Sequence, residues 1–220
     1  MKSLVLFSND LRLNDNDAIN SSIKGYESTT FLFIYDKSLY TSTHGSANLW
    51  WLEKSLRNLK NRLLKKNVTL QIIKGDFVDK TIQIVEKYNF NSVFINQNKH
   101  PEFIKKEDEL SLKLKKCDVN LFTFNKTNLV HPSLILNKSG EPFKVYSPFY
   151  KNCKLLYSQK KALKYPSVNI KNFIIDENSI NTAEIFSLDN NKWAKKLDKY
   201  WEPGEVEAIN KLEIFFKNSL

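Results

Sequence analysis

Three short polar stretches carry most of the chemistry in this chain. Asn9, Asp10 and Arg12 follow one apolar run, Tyr35, Asp36 and Lys37 a second, and Asn96, Gln97, Asn98, Lys99 and His100 a third. Together they offer amide donors and acceptors, carboxylates and cations. Such a set suits a heteroaromatic ligand with ring amides and an anionic tail. Each group also has a simpler use. Asp10 and Arg12 can tie their own loop to a neighbouring helix, and Asn14 or Asp15 is the expected N-cap of the first helix. Asn96 to Asn98 can serve as turn residues.

For these stretches to meet, they must sit at the carboxyl ends of neighbouring strands. Ser3 to Phe7 and Thr30 to Tyr35 read as buried parallel strands, and Leu70 to Ile73, Ser92 to Ile95 and Asn120 to Phe124 add three more. Helical patterns separate them: Asp15 to Lys24, Ser46 to Lys66, Val78 to Tyr88 and Glu102 to Lys116. The longest carries an apolar stripe of Leu49, Leu52, Leu56, Leu59 and Leu63, with Trp50 and Trp51 expected in packing roles. This alternation predicts an α/β fold, a Rossmann-like five-stranded parallel sheet with helices on both faces. With strand order 3-2-1-4-5, a ligand crevice opens between strands 1 and 4, where the order reverses.

Other chemistries find little support. The glycines at 25, 45, 75, 140 and 204 make neither G-x-G-x-x-G nor a P-loop. His44, His100 and His131 lack metal-site spacing, and surface or capping roles are expected for them. Cys117 and Cys153 suggest no disulfide scaffold, so a reducing cytoplasm is the simple expectation. No run of about 18 apolar residues predicts a membrane span. The net charge of +10 invites nucleic acid, yet only Arg12, Arg57 and Arg62 are arginines. Lysine is a diffuse point charge, poorer than arginine at bidentate recognition.

Beyond residue 130 the periodicity fades among Pro132, Pro142, Pro148 and Pro166, with one short helix expected over Tyr146 to Leu156. Helical patterns return at Lys192 to Tyr200 and Glu205 to Leu220. The organisation expected is an α/β domain over 1–130, an interdomain linker over 131–190, and the first helices of a further domain over 191–220.

Six sequence blocks occur in a meaningful order. The first runs from Leu4 to Asn16 through Asn9-Asp10-Leu11-Arg12-Leu13. The second is Gly45-Ser46-Ala47-Asn48-Leu49-Trp50-Trp51-Leu52, and Lys74-Gly75-Asp76 follows. Pro101 with Glu107 is the fourth, Gly140-Glu141-Pro142-Phe143-Lys144-Val145-Tyr146-Ser147-Pro148-Phe149 the fifth, and Trp201-Glu202-Pro203-Gly204-Glu205 the last. In this order the blocks resemble the photolyase/cryptochrome family.

The resemblance implies an N-terminal α/β antenna domain that holds a methenyl-folate, a deazaflavin or FMN. FAD, the lesion pocket and light-driven repair of pyrimidine dimers belong to a helical domain expected outside this chain. The site residues expected from the strand order are Asn9, Asp10, Arg12, Tyr35, Asp36, Asn96 and Asn98. The implied partner is a separate helical FAD-binding polypeptide, with DNA bound only as part of a complete photolyase. Alone, the chain is not expected to be catalytic. Several positions depart from the family. Leu6-Phe7-Ser8 replaces Trp-Phe-Arg, Asn48 replaces an arginine, and Glu102-Phe103 stands where a folate-contacting Asn-Glu pair is usual. Two alternatives stay open: a degenerate remnant or sensory module, and a general nucleotide-binding α/β protein.

Overall fold

The computed structural model describes residues 1–40, 45–125, 128–158, 162–166, 169–183 and 192–219. His44 and Leu220, named above, lie outside them. Five strands, β1 (Lys2–Phe7), β2 (Ser28–Tyr35), β3 (Leu70–Lys74), β4 (Ser92–Asn96) and β5 (Asn120–Phe124), form one sheet. Its order is β3-β2-β1-β4-β5, and every neighbouring pair is parallel. The expected sheet and strand order are therefore those observed.

β1 is the centre. Leu4 lies between Thr30 and Val93, and Val5 between Phe31 and Phe94. Leu4, Val5, Leu6 and Phe7 are all buried, as a strand covered on both faces requires. β5 is an edge. Phe122 is 42% exposed there but stacks on Phe94 at 4.9 Å.

The connecting helices are α1 (Asp17–Ser22), α2 (Lys37–Tyr40), α3 (Ser46–Leu64), α4 (Phe77–Tyr88) and α5 (Pro101–Lys116). Their ends follow local chemistry. Asp76 Oδ1 accepts from the amides of Val78 and Asp79 at the start of α4, and Asn89 closes that helix at φ 53°. Pro101 opens α5, where its missing N–H costs nothing. α3 buries Leu52, Leu56, Leu59 and Leu63, with Leu49 partly buried beside them. The N-cap of α1 is Asn16, not Asn14 or Asp15, because Asn16 Oδ1 is the oxygen that accepts from Ile19 N. Trp50 is buried and Trp51 half-exposed. Among the described residues no helix is long and apolar enough to cross a membrane.

Beyond β5, α6 (Tyr146–Leu156) buries none of its residues. The stretch 169–183, by contrast, is laid along the sheet. Thr29 donates to Lys171 O and accepts from Phe173 N, so this segment fills the place beside β2 before β3 begins. Gln71 and Ile175 exchange two hydrogen bonds, and Ile180 N donates to Ile72 O along the outer edge of β3. That edge is thereby covered. Backbone of this kind shows no periodicity because its polar groups are satisfied by the sheet rather than by a helix or strand of its own. Ile175 is 2% exposed and joins the core. Ile175→Ala should cost about 2–4 kcal/mol in urea unfolding. A loss under about 1 kcal/mol would show that the strap lies loosely on the sheet.

The last elements are α7 (Lys192–Leu197) and α8 (Glu205–Ser219). α8 buries none of its residues, and Ile209, Leu212, Phe215 and Phe216 are exposed.

Candidate functional site

The loop after β1 is held from inside. Asp10 Oδ1 accepts from Ser8 N at 2.9 Å, and Asp10 Oδ2 accepts from Asn96 Nδ2 at 2.6 Å. The other hydrogen of that amide goes to Asn16 Oδ1 at 2.8 Å, while Asn16 Nδ2 donates to Arg12 O. Asp10, Asn16 and Asn96 are all buried. This network joins the carboxyl ends of β1 and β4 to the start of α1, so it floors the crevice where strand order reverses. Asp10 and Asn96, expected as ligand groups, are committed to each other. Arg12 donates through Nε and Nη2 to Asp15 O, which leaves Nη1 and one Nη2 hydrogen for other partners.

The β2 end is closed in the same way. Asp36 Oδ1 accepts from the amide and hydroxyl of Ser38, and its Oδ2 accepts from Phe77 N at 2.9 Å. One carboxylate thus starts α2 and pins the start of α4. Tyr35 is 4% exposed and stacks on Tyr40 at 5.8 Å, and Tyr40 meets Phe103 edge-to-face at 5.5 Å. Burial first, then Asp10, Asp36 and Tyr35, hold the Tyr40 phenol well above its ordinary pKa, so it stays protonated. Nothing in the sequence marks Tyr40, because a tyrosine in a four-residue helix gives no periodic signal.

At β4 the loop is less complete. Asn98 N donates to Glu107 Oε1 at 3.0 Å, and Asn98 Oδ1 accepts from His100 N. The Asn98 side-chain amide nitrogen and Glu107 Oε2 are buried without hydrogen-bond partners. Burial raises the Glu107 carboxyl to about 7 against the pull of Asn98 N–H and Lys99. Lys99 Nζ donates to Gln97 Oε1 and lies 2.8 Å from His131 Nε2. Of the expected residues, Asn98 alone keeps an unspent buried donor.

Asn9 and Arg12 face a different space. With Asn48, Trp51, Ser55 and Gly204 among its walls, a cleft of about 580 Å³ opens between the β1 loop, the first turns of α3 and the root of α8. That volume is in the range of small-molecule sites. Asn9, Asp10 and Arg12 border it, whereas Tyr35, Asp36, Asn96 and Asn98 do not. Its walls offer an indole face, amides and a guanidinium. Among the described residues no group of three His, Cys, Asp or Glu could hold a metal ion.

The chain matches the DNA photolyase family model over residues 3–167. It is similar to the deoxyribodipyrimidine photo-lyase of Agrobacterium fabrum, 27% identical across 99% of this chain and 45% of that protein. Cryptochrome-1 of Arabidopsis thaliana is 24% identical across 99% of this chain and 32% of its own length. Among solved structures, a bacterial class III photolyase from Agrobacterium tumefaciens superposes with a TM-score of 0.88 at 26% identity, covering 98% of this chain and 44% of that one. The archaeal photolyase of Sulfolobus tokodaii, solved with two FAD molecules, shares the fold at a TM-score of 0.65 and 16% identity, over 86% of this chain and 42% of its own. The chain thus spans about half the length of the photolyases it matches. A five-stranded parallel sheet in this order, the floor at its point of reversal and a family match over three quarters of the residues agree: the chain belongs to the DNA photolyase family, with that family's N-terminal α/β fold.

Proposed function

We propose that this chain is a light-harvesting unit, in which the α/β fold holds an antenna pigment and hands excitation to a flavin on a helical unit. The observation that carries this reading is the small-molecule cleft lined by Asn9, Asp10, Arg12 and Trp51. It opens beside the loop that follows β1, at the reversal point of the sheet, where open α/β folds take their ligands. The pigment would be a methenyl-folate, a deazaflavin or FMN, and it would supply absorption in the near-ultraviolet or blue. Trp51 would cover a ring face, Asn9 and Asn48 would meet ring amides, and the spare Arg12 N–H groups would meet an anionic tail. With asparagine at 48, Arg12 is the arginine that lines this cleft, which weighs against a pigment with a large phosphate charge.

The helical unit would dock where α6 and α8 present apolar side chains. Tyr146 and Phe149 on α6 and Leu212, Phe215 and Phe216 on α8 are all exposed, and large exposed apolar side chains of this kind mark interaction sites. DNA would be met by the assembled pair, with the +10 charge assisting approach.

The test is a titration of the purified chain with 5,10-methenyltetrahydrofolate, the 7,8-didemethyl-8-hydroxy-5-deazaflavin chromophore and FMN, read by pigment fluorescence polarisation. One of the three should bind in the micromolar range and lose at least about tenfold in affinity with Trp51→Ala, as expected for one stacked ring. Retention of none of them, or equal binding by the Trp51→Ala protein, would defeat the assignment. Affinity for adenine nucleotides alone would favour a general nucleotide binder.

A further inference from the structure

The root of α8 is far more elaborately held than the helix itself. Glu205 Oε2 accepts from Leu13 N at 2.8 Å and from Arg62, while Oε1 accepts from Asn14 N at 3.1 Å and Asn14 Nδ2 at 2.8 Å. The carboxylate is 9% exposed, and it spans 192 residues of sequence to reach Leu13. Burial pushes the carboxyl up, but the Leu13 and Asn14 amides and Arg62 together bring it below its ordinary pKa. One residue earlier, Gly204 has φ +139°, and a Cβ there would lie 2.5 Å from Asn58 Cγ on α3. Trp201 meets Trp51 edge-to-face at 5.9 Å. Beyond these contacts α8 runs its full length without a buried residue.

A helix with no packed face takes its direction from its root. Here the root is also a wall of the cleft, since Gly204, Glu205 and Ala208 line it opposite Asn9 and Arg12. We propose that Glu205 is a positioning residue: it sets the angle at which α8 leaves the α/β unit, and so the placement of whatever α8 carries relative to the cleft. Excitation transfer depends on the distance and orientation of donor and acceptor, so a fixed angle is what such a unit requires. The proposal rests on the light-harvesting reading only for what the cleft holds; the geometry of the latch is independent of it.

The full chain tests this with spin labels at Lys65→Cys, just past α3, and Lys217→Cys on α8, in a Cys117→Ser, Cys153→Ser background. Electron–electron double resonance should give one narrow distance distribution. Glu205→Ala should broaden it at least about twofold and remove the near-ultraviolet circular dichroism of the Trp51–Trp201 pair, with far-ultraviolet signal retained. Glu205→Gln, which keeps one acceptor oxygen, should fall between the two. A broad distribution in the parent protein, or an unchanged one in folded Glu205→Ala, overturns the proposal. Should Glu205→Ala fail to fold, Gly204→Ala strains the same root from its α3 side and must broaden the distribution. Pigment titration on the same proteins separates the outcomes: a narrow distribution without pigment binding sinks the light-harvesting reading and leaves the latch standing.

Discussion

Asp10→Ala is expected to destabilise the protein by about 3 kcal/mol. The reason is what remains behind. Asp10 is 6% exposed and accepts from Ser8 N and Asn96 Nδ2. Alanine leaves both donors in the crevice floor, and each buried orphan costs about 1–3 kcal/mol. Asp10→Asn should be intermediate: its oxygen still serves Ser8, but its NH2 faces the NH2 of Asn96. Turning the Asn96 amide over to relieve this would present its oxygen to Asn16 Oδ1 and lose that hydrogen bond. For a chain of this size the alanine variant should melt roughly 6–12 °C lower. Differential scanning calorimetry measures this directly, and a drop of under about 2 °C would mean that the network is ornamental. A double-mutant cycle with Asn96→Ala should show strong coupling, because the two residues share one hydrogen bond.

The same network shows where sequence reading reaches its limit. The strands were legible because a buried parallel strand must be apolar almost throughout, and Ser3 to Phe7 is. The α3 stripe was legible because its leucines recur at helical spacing and four of them are buried. Asp10 and Asn96 were recognised as polar groups at the right strand ends, but residue type does not say whether a carboxylate waits for a ligand or is consumed by an amide 86 residues away. Asp36 is a second case, spent on Ser38 and Phe77. Glu205 and the strap at 169–183 were hidden for a related reason. Their partners, Leu13 and Gln71, lie far along the chain, and irregular backbone carries no period from which to infer them.

A different carboxylate should make the protein less stable as pH rises. Glu107 is 8% exposed, and its Oε2 has no hydrogen-bond partner. Burial first, with Asp108 and Asp10 adding to it, raises the folded carboxyl from an ordinary 4.5 to about 7, despite Asn98 N–H and Lys99. Between those two values the folded protein holds a proton that the unfolded chain has lost. Stability must therefore fall as pH rises through that window, the opposite of a carboxylate held by a salt bridge. At about 1.4 kcal/mol for each pH unit of separation, the cost of ionised Glu107 at pH 8 is at most about 3.5 kcal/mol. Glu107→Gln keeps an oxygen for Asn98 N but cannot ionise. The variant should match its parent near pH 4 and exceed it progressively toward pH 8, by an amount that water penetration reduces from that ceiling. Urea unfolding across this range reads both curves. If they stay parallel from pH 4 to 8, Glu107 titrates as an ordinary exposed glutamate, and the β4 loop is wetter than its packing implies. If they diverge as expected, the buried carboxyl beside Asn98 is kept protonated below neutrality by the fold itself. Its unpartnered oxygen then carries an O–H, a donor held inside the β4 loop rather than on its surface.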